Sequence, residues 1–225
     1  MKSNQIVSMA ALLAASLSAA QAQIIISEVD PAGSSGSTGY GADWFELKNT
    51  GSSAVDITGW KMDDNSDSFS LAVALRNVTS ISPGQAVVFV EGTSDGTGDA
   101  TLDANFETAW FGSSVPAGFT IGNYGGSGVG LSQTSDAVNI FDSTGTAVTG
   151  VAFGATTLGN TLDNEAGLSG TISQTSQVGV DGAFLSASGK EVGSPGDVSP
   201  APEPAALALA GLGLTCLLGL RRLKN

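Results

Sequence analysis

The sequence predicts an all-β sandwich carrying one short helix. Three features predict it: many short β-rich runs, turn residues between those runs, and one stretch with helical spacing. The 225 residues include 31 glycines and are 41% hydrophobic, enough for a packed core in one large or two small domains. Charged residues make up only 13%, which argues against a mainly disordered chain.

Ile24-Ile25-Ile26-Ser27-Glu28-Val29 is β-branched and stops at Asp30-Pro31, a strand with its terminator. A Gly/Ser loop follows to Gly41. In DWFELKNTGSSAVDITGW (43–60), Phe45 and Leu47 alternate with Trp44, Glu46 and Lys48, the period of a half-buried strand. Asn49-Thr50-Gly51-Ser52 is turn chemistry, and Ala54 to Ile57 returns as the next strand. Ser82-Pro83-Gly84 turns the chain into Gln85–Val90, apolar on both faces and therefore central.

Leu102, Phe106 and Trp110 recur at helical spacing in a stretch without Gly or Pro, which predicts a helix over 101–111. Asp136–Phe141 and Thr146–Phe153 flank Asp142-Ser143-Thr144-Gly145 and read as a hairpin. Residues 155–190 are polar and poorly patterned, with one or two short strands expected around 171–185. No internal repeat is visible. Phe45, Leu47, Val55, Ile57, Val88, Val90, Val138 and Ile140 are expected to point into one core.

Both ends read as signals. Lys2, the apolar run Ile6–Ala19 and the small-x-small box Ala20-Gln21-Ala22 have the order of a secretory signal peptide over residues 1–22, cut before Gln23. At the other end, Ala205–Leu220 is a run of 16 residues without a charge. As a helix it would span about 24 Å, short of the ~30 Å hydrocarbon core but able to cross a thinned bilayer. Arg221, Arg222 and Lys224 follow at once and would keep the extreme C-terminus cytoplasmic. Pro202 and Pro204 keep the preceding stretch extended.

Pro202-Glu203-Pro204, the apolar run and Arg221-Arg222 resemble the PEP-CTERM sorting signal of exported bacterial proteins. That resemblance implies that residues 199–225 are read by exosortase, a membrane protease-transpeptidase, which cuts near the Pro-Glu-Pro bracket. A transient membrane anchor at 205–220 and a final place at the cell surface or in the extracellular matrix follow from it.

The body between the signals, residues 23–198, resembles the lamin tail domain in its bacterial secreted form. The matching pieces are IISEVDP, DWFELKNTGSSAVDITGW, SPGQAVVFV, ANFETAWFG, GLSQTSDAVNIFDSTGTAVTGVAFG and a closing GSPG. The resemblance implies an immunoglobulin-like sandwich in which the DW-E-N and GW residues belong to the scaffold. Physics agrees: Trp44 and Trp60 can cover a sheet face, while Asp43, Asn49 and Asp56 can fix turns. The alternative for the two indoles is an exposed sugar-stacking platform.

Composition limits the chemistry. The chain has no histidine, which removes histidine-based nucleophile activation and histidine metal ligation. Its one cysteine, Cys216, lies in the apolar tail, so no intrachain disulfide or cysteine zinc site can form. Gly92-Thr93-Ser94-Asp95-Gly96 fits G-x-S-x-G but has no histidine to serve it. GGSGVG (125–130) ends in Gly130 where a calcium-binding nonapeptide repeat needs aspartate, and it occurs once.

Asp63, Asn65 and Asp67 form D-x-N-x-D, the opening of several calcium loops. Ser68 stands where an EF-hand needs glycine and Ala74 where it needs the bidentate glutamate, so the stretch reads either as a solvated β-turn or as a weak calcium site. No other cofactor is implied. Paired carboxylates could serve glycoside hydrolysis, yet no pair is marked.

Lys2, Arg221, Arg222 and Lys224 lie in the two signals, so the body keeps four of the eight cations. Removing both signals takes the formal charge from −13 to roughly −16 or −17. Such a body repels nucleic acid and favours solubility and cation association. The chromatin contacts of animal lamin tails therefore do not transfer to it. The expected function is a non-enzymatic surface or matrix protein that associates with exopolysaccharide or surface proteins. A calcium-assisted carbohydrate- or protein-binding module is the second reading, and a carboxylate hydrolase the third.

Overall fold

The computed structural model describes residues 24–35 and 38–197. Chain order begins with β1 (Ile24–Asp30), β2 (Trp44–Asn49), β3 (Val55–Asp56), β4 (Lys61–Asp63), β5 (Val73–Ala74), β6 (Ser80–Ile81) and β7 (Ala86–Gly92). The helix α1 (Asp99–Phe111) follows, then β8 (Ile121–Gly125), β9 (Asp136–Phe141) and β10 (Ala147–Phe153). Last come β11 (Leu162–Asp163), β12 (Gly170–Ile172), β13 (Phe184–Leu185), β14 (Val192–Gly193) and a 3-10 turn at Pro195–Asp197.

Two five-stranded sheets form the sandwich. The first runs β11-β1-β2-β7-β8 and the second β12-β10-β9-β4-β5. Most pairings are antiparallel, but β8 joins β7, and β12 joins β10, in parallel. Two small two-stranded ribbons, β3 with β6 and β13 with β14, complete the strand set among the described residues.

Local chemistry sets the turns as the sequence suggests. Asn49 Nδ2 donates to the Ser53 and Ile81 carbonyls, and its Oδ1 accepts the Gly51 N–H. The Asp56 carboxylate accepts Thr58 N–H, and Asp142 accepts the N–H groups of Thr144 and Thr146 in the β9–β10 turn. The helix starts at Asp99, two residues before the spacing alone would put it. There Asp99 receives Arg76 Nε at 2.6 Å and Arg76 Nη2 at 2.9 Å.

The expected single core divides in two. Phe45, Leu47, Ile57, Val138 and Ile140 lie between the sheets with Met62, Phe89, Tyr124 and Phe153, and Val55 packs at their margin. Val88 and Val90 lie on the opposite face of the first sheet, in a second cluster with Trp44, Phe106 and Trp110 under α1. The physical reason is that β7 is apolar on both faces, and each face has its own cover.

A second correction concerns β2. Its alternation suggests a solvated face, yet Trp44 and Glu46 are both fully buried. α1 covers the Trp44 end of that face, and the chain after Ala183 covers the Glu46 end. The poorly patterned stretch after 155 is therefore structural. Leu162 and Ile172 join the inter-sheet core, and Asn164 donates to the Ile26 carbonyl at 2.6 Å.

Among the described residues, no helix is long and apolar enough to cross a membrane. The signal-peptide residues Ala20, Ala22 and Gln23, and the tail residues Pro202, Glu203, Pro204, Arg221 and Arg222, lie outside the described residues.

Candidate functional site

The concentration of unusual chemistry lies on the outer face of the first sheet. A β-bulge in β1 creates it. The pairing of β1 with β2 shifts register between Ile26 and Glu28. Ile24, Ile26 and Val29 therefore all face the inter-sheet core, while Glu28 stands opposite Glu46 on the outer face. Asp30 stands opposite Trp44 on that same face.

The C-terminal strap, Ala183–Asp197, closes over these carboxyls. Glu28 Oε1 accepts the Ser194 N–H at 2.9 Å, the Thr161 hydroxyl and, at 3.4 Å, the Ser176 hydroxyl. The Ser194 hydroxyl donates to Glu28 Oε2 at 3.3 Å. Glu46 Oε1 accepts the Ser27 hydroxyl at 2.7 Å, and its Oε2 accepts the Gly196 N–H. From the strap itself, Glu191 accepts the Tyr40 hydroxyl at 2.6 Å, and Tyr40 in turn accepts the Trp44 indole N–H at 3.1 Å.

Gly193 is required where it stands. A Cβ there would lie 2.5 Å from Glu28 Oε1 and 2.9 Å from the Thr161 side chain.

Glu28, Glu46, Asp30 and Glu191 are all at most 3% exposed. None of the ion pairs among the described residues includes them. Burial without a countercharge penalises the ionised form. Burial pushes Glu28 up to about 8, against the Thr161 and Ser194 hydrogen bonds, with the charges of Asp30 and Asp163 adding to the rise. Burial and then the neighbouring Glu28 hold Glu46 well above the usual carboxylate range. Burial and then the Glu191 carboxylate do the same for Asp30, and burial raises Glu191.

A cation on β2 works at the strap's rim. Lys48 Nζ lies 2.6 Å from Glu165 Oε2 and 2.8 Å from Asp197 Oδ2.

The motifs singled out in the sequence sit elsewhere. Asp63 is buried at the end of β4, while Asn65 and Asp67 are exposed in the turn that follows. Asp63 Oδ2 accepts the Ser66 hydroxyl at 2.6 Å and the Ser68 N–H at 2.7 Å, an arrangement that closes the turn. Among the described residues, no three Asp, Glu, His or Cys side chains are grouped to hold a metal ion.

The Gly92–Gly96 stretch is a turn tied by Thr93, whose hydroxyl donates to Asp95 and to the Thr97 carbonyl. Trp44 and Trp60 are buried, which removes the stacking platform. A surface hollow of about 290 Å³ gathers Asp163, Glu165 and Asp181. Two of those carboxyls are already engaged: Asp163 accepts Gln174 Nε2 and the Glu165 N–H, and Glu165 pairs with Lys48.

Sequence reasoning missed the buried carboxyls. The available signal was a glutamate inside an apolar strand, at Glu28 within IIISEVD and at Glu46 between Phe45 and Leu47.

The arrangement is a closed sandwich whose acidic face is roofed by its own chain. No curated protein matches the chain. The family model described as Lamin Tail Domain matches residues 18–155, more than half of the chain and the whole run from β1 through α1 to β10. With a mainly β architecture and one α-helix among the described residues, this chain belongs to the lamin tail domain family.

Proposed function

We propose that this chain is an exported, non-enzymatic surface or extracellular-matrix protein. Its sandwich associates with exopolysaccharide or surface proteins, and its tail is processed by exosortase through Pro202-Glu203-Pro204. The carrying observation is where the folded body lies along the chain. β1 begins at Ile24, one residue after Gln23, and the last turn ends at Asp197, five residues before Pro202. The described elements, from Ile24 to Asp197, thus belong to the span that the two signal-like segments bracket in the sequence.

The state of the buried acids supports a binding scaffold over a hydrolase. Glu28 and Glu46 accept hydrogen bonds from backbone and hydroxyl groups that close the fold, whereas a catalytic pair needs a cleft between its members. One observation favours the calcium-assisted reading: Asp63 Oδ1 is buried and has no hydrogen-bond partner.

Two measurements test the proposal. Protein recovered from the cell surface and medium should have a mass lacking both the first 22 residues and the segment after the Pro-Glu-Pro bracket. Recovery of protein that retains residues 205–225 would sink the sorting reading. Incubation with cell-derived polysaccharide should deplete the protein from solution without generating new reducing ends. Depletion that requires calcium would favour the second reading, and new reducing ends the hydrolase.

A further inference from the structure

The strap Ala183–Asp197 is held to α1 and to the first sheet by two kinds of tie. Apolar contacts and main-chain bonds fix its first half: Phe184 packs on Trp110 and Phe111, and the Ala187 and Ser188 N–H groups donate to the Trp110 and Ala109 carbonyls. Its second half rests on carboxyls, with one main-chain anchor at Val192, whose N–H donates to the Gly159 carbonyl and whose carbonyl accepts the Thr161 N–H. Ser194 N–H meets Glu28, Gly196 N–H meets Glu46, and Glu191 enters beside Asp30 and under Tyr40. Among the described residues, the only ion pair in this half, Lys48 with Asp197, lies at the partly exposed rim.

We propose that the second half of the strap is a proton-operated latch. It stays docked while the carboxyl groups of Glu28, Glu46 and the Asp30–Glu191 pair share protons, and it lifts when those protons are lost. Lifting uncovers a carboxylate-lined face on β1 and β2.

The geometry explains why ionisation drives opening. Glu28 and Glu46 face each other across the β1–β2 pair, and Asp30 faces Glu191, so each new charge forms beside another acid. The other groups facing them are acidic too: Asp163 from β11, Asp43 before β2, and Glu165 after β11. Tyr40 contributes a neutral hydroxyl. Lys48 is the one cation on this face of β2, and its ammonium is already shared by Glu165 and Asp197. Water can solvate the carboxylates only if the strap moves away.

Because the docked state favours the protonated acids, each carboxyl raises the opening equilibrium about tenfold per pH unit between its open-state and docked-state pKa. For Glu28 that interval runs from the ordinary value of 4.5 to about 8.

Hydrogen–deuterium exchange on the full-length chain at pH 5 and pH 8.5, corrected for intrinsic exchange rates, tests the latch. The Ser194 and Gly196 amides should lose protection by at least about tenfold per pH unit, while the Phe45 and Ile140 amides stay protected. The double variant Glu28→Gln, Glu46→Gln, which mimics the neutral acids, should keep its strap protected at pH 8.5. Raising the salt concentration at pH 5 should not open the strap, since the Lys48 pair is not the principal tie. Strap amides that remain protected at pH 8.5 would overturn the proposal. So would strap and core amides that exchange together at every pH. If the double variant does not fold, Glu191→Gln alone should reduce the pH slope of strap exchange, and an unchanged slope would overturn the proposal equally.

Discussion

The Tyr40 hydroxyl donates to Glu191 at 2.6 Å across 151 residues of sequence, and so fastens the loop before β2 to the strap. The same oxygen accepts the Trp44 indole N–H, which makes it a buried relay with both ends occupied. Tyr40→Phe leaves an indole donor and a carboxyl oxygen unpaired in the interior. The expected cost is ~1–3 kcal/mol, read as a lower denaturation midpoint with an unchanged slope. A midpoint equal to wild type would mean that water replaces the hydroxyl and the relay carries little.

Gly193→Ala should destabilise the protein by ~1–3 kcal/mol, because the new methyl is driven into the Glu28 carboxyl and the Thr161 side chain. Gly154 is the matched control. A Cβ there meets nothing within 4 Å, and Gly154→Ala should leave stability nearly unchanged. Equal effects at the two positions would contradict the packing of the strap on Glu28.

The two-core arrangement predicts separable losses. Leu47→Ala, between the sheets, should cost ~2–5 kcal/mol. Trp110→Ala, which removes the edge-to-face contact with Trp44 at 5.8 Å, should cost ~3–5 kcal/mol and loosen α1 first. Proteolysis should then cut preferentially near the helix in Trp110→Ala and show no such preference in Leu47→Ala. Circular dichroism of the body should be dominated by β structure.

Global stability should fall with rising pH. Glu28 is raised in the folded state, so its stabilisation is complete below its unfolded value of 4.5 and is lost as pH climbs through about 8. Glu91, pushed up to about 7 by burial and then by Asp43, acts in the same direction over a narrower window. Urea midpoints measured from pH 5 to pH 8.5 should decline, with Glu28 accounting for a loss on the order of a few kcal/mol. Glu28→Gln should flatten the profile, and a wild-type midpoint that rises over this range would refute the assignment.

The Asp63 turn predicts stability without metal. Asp63→Ala strands the Ser66 hydroxyl and the Ser68 N–H and should cost ~1–3 kcal/mol. Millimolar calcium should leave the wild-type melting temperature unchanged. A calcium-dependent increase abolished by Asp63→Ala would instead assign a cation to Asp63 Oδ1.

The elements that could be read locally were those in which periodicity and turn residues agree. The β9–β10 hairpin is set by Asp142 and Gly145, the central β7 by its run of apolar residues, and α1 by the spacing of Leu102, Phe106 and Trp110. The stretch from 155 to 190 was less legible because its strands are two or three residues long, too short for a period to appear. The burial of Trp44 and Glu46 was illegible because alternation records which residues share a face and says nothing of what covers that face.

By itself, the sequence determined the mainly β character, the position of the helix, the hairpin and turn chemistry, and the absence of histidine-based catalysis. Those properties depend on residue identity and near neighbours. Only the tertiary structure decided that a bulge at Ser27 turns Glu28 away from the face of Ile24 and Ile26, and that Ser194 and Gly196 return across about 150 residues or more to meet Glu28 and Glu46. The physical reason is that a carboxyl's environment is set by what packs against it. Here the strap excludes water while its one cation, Lys190, stays exposed and outside the ion pairs among the described residues, and so it converts two ordinary strand glutamates into buried acids.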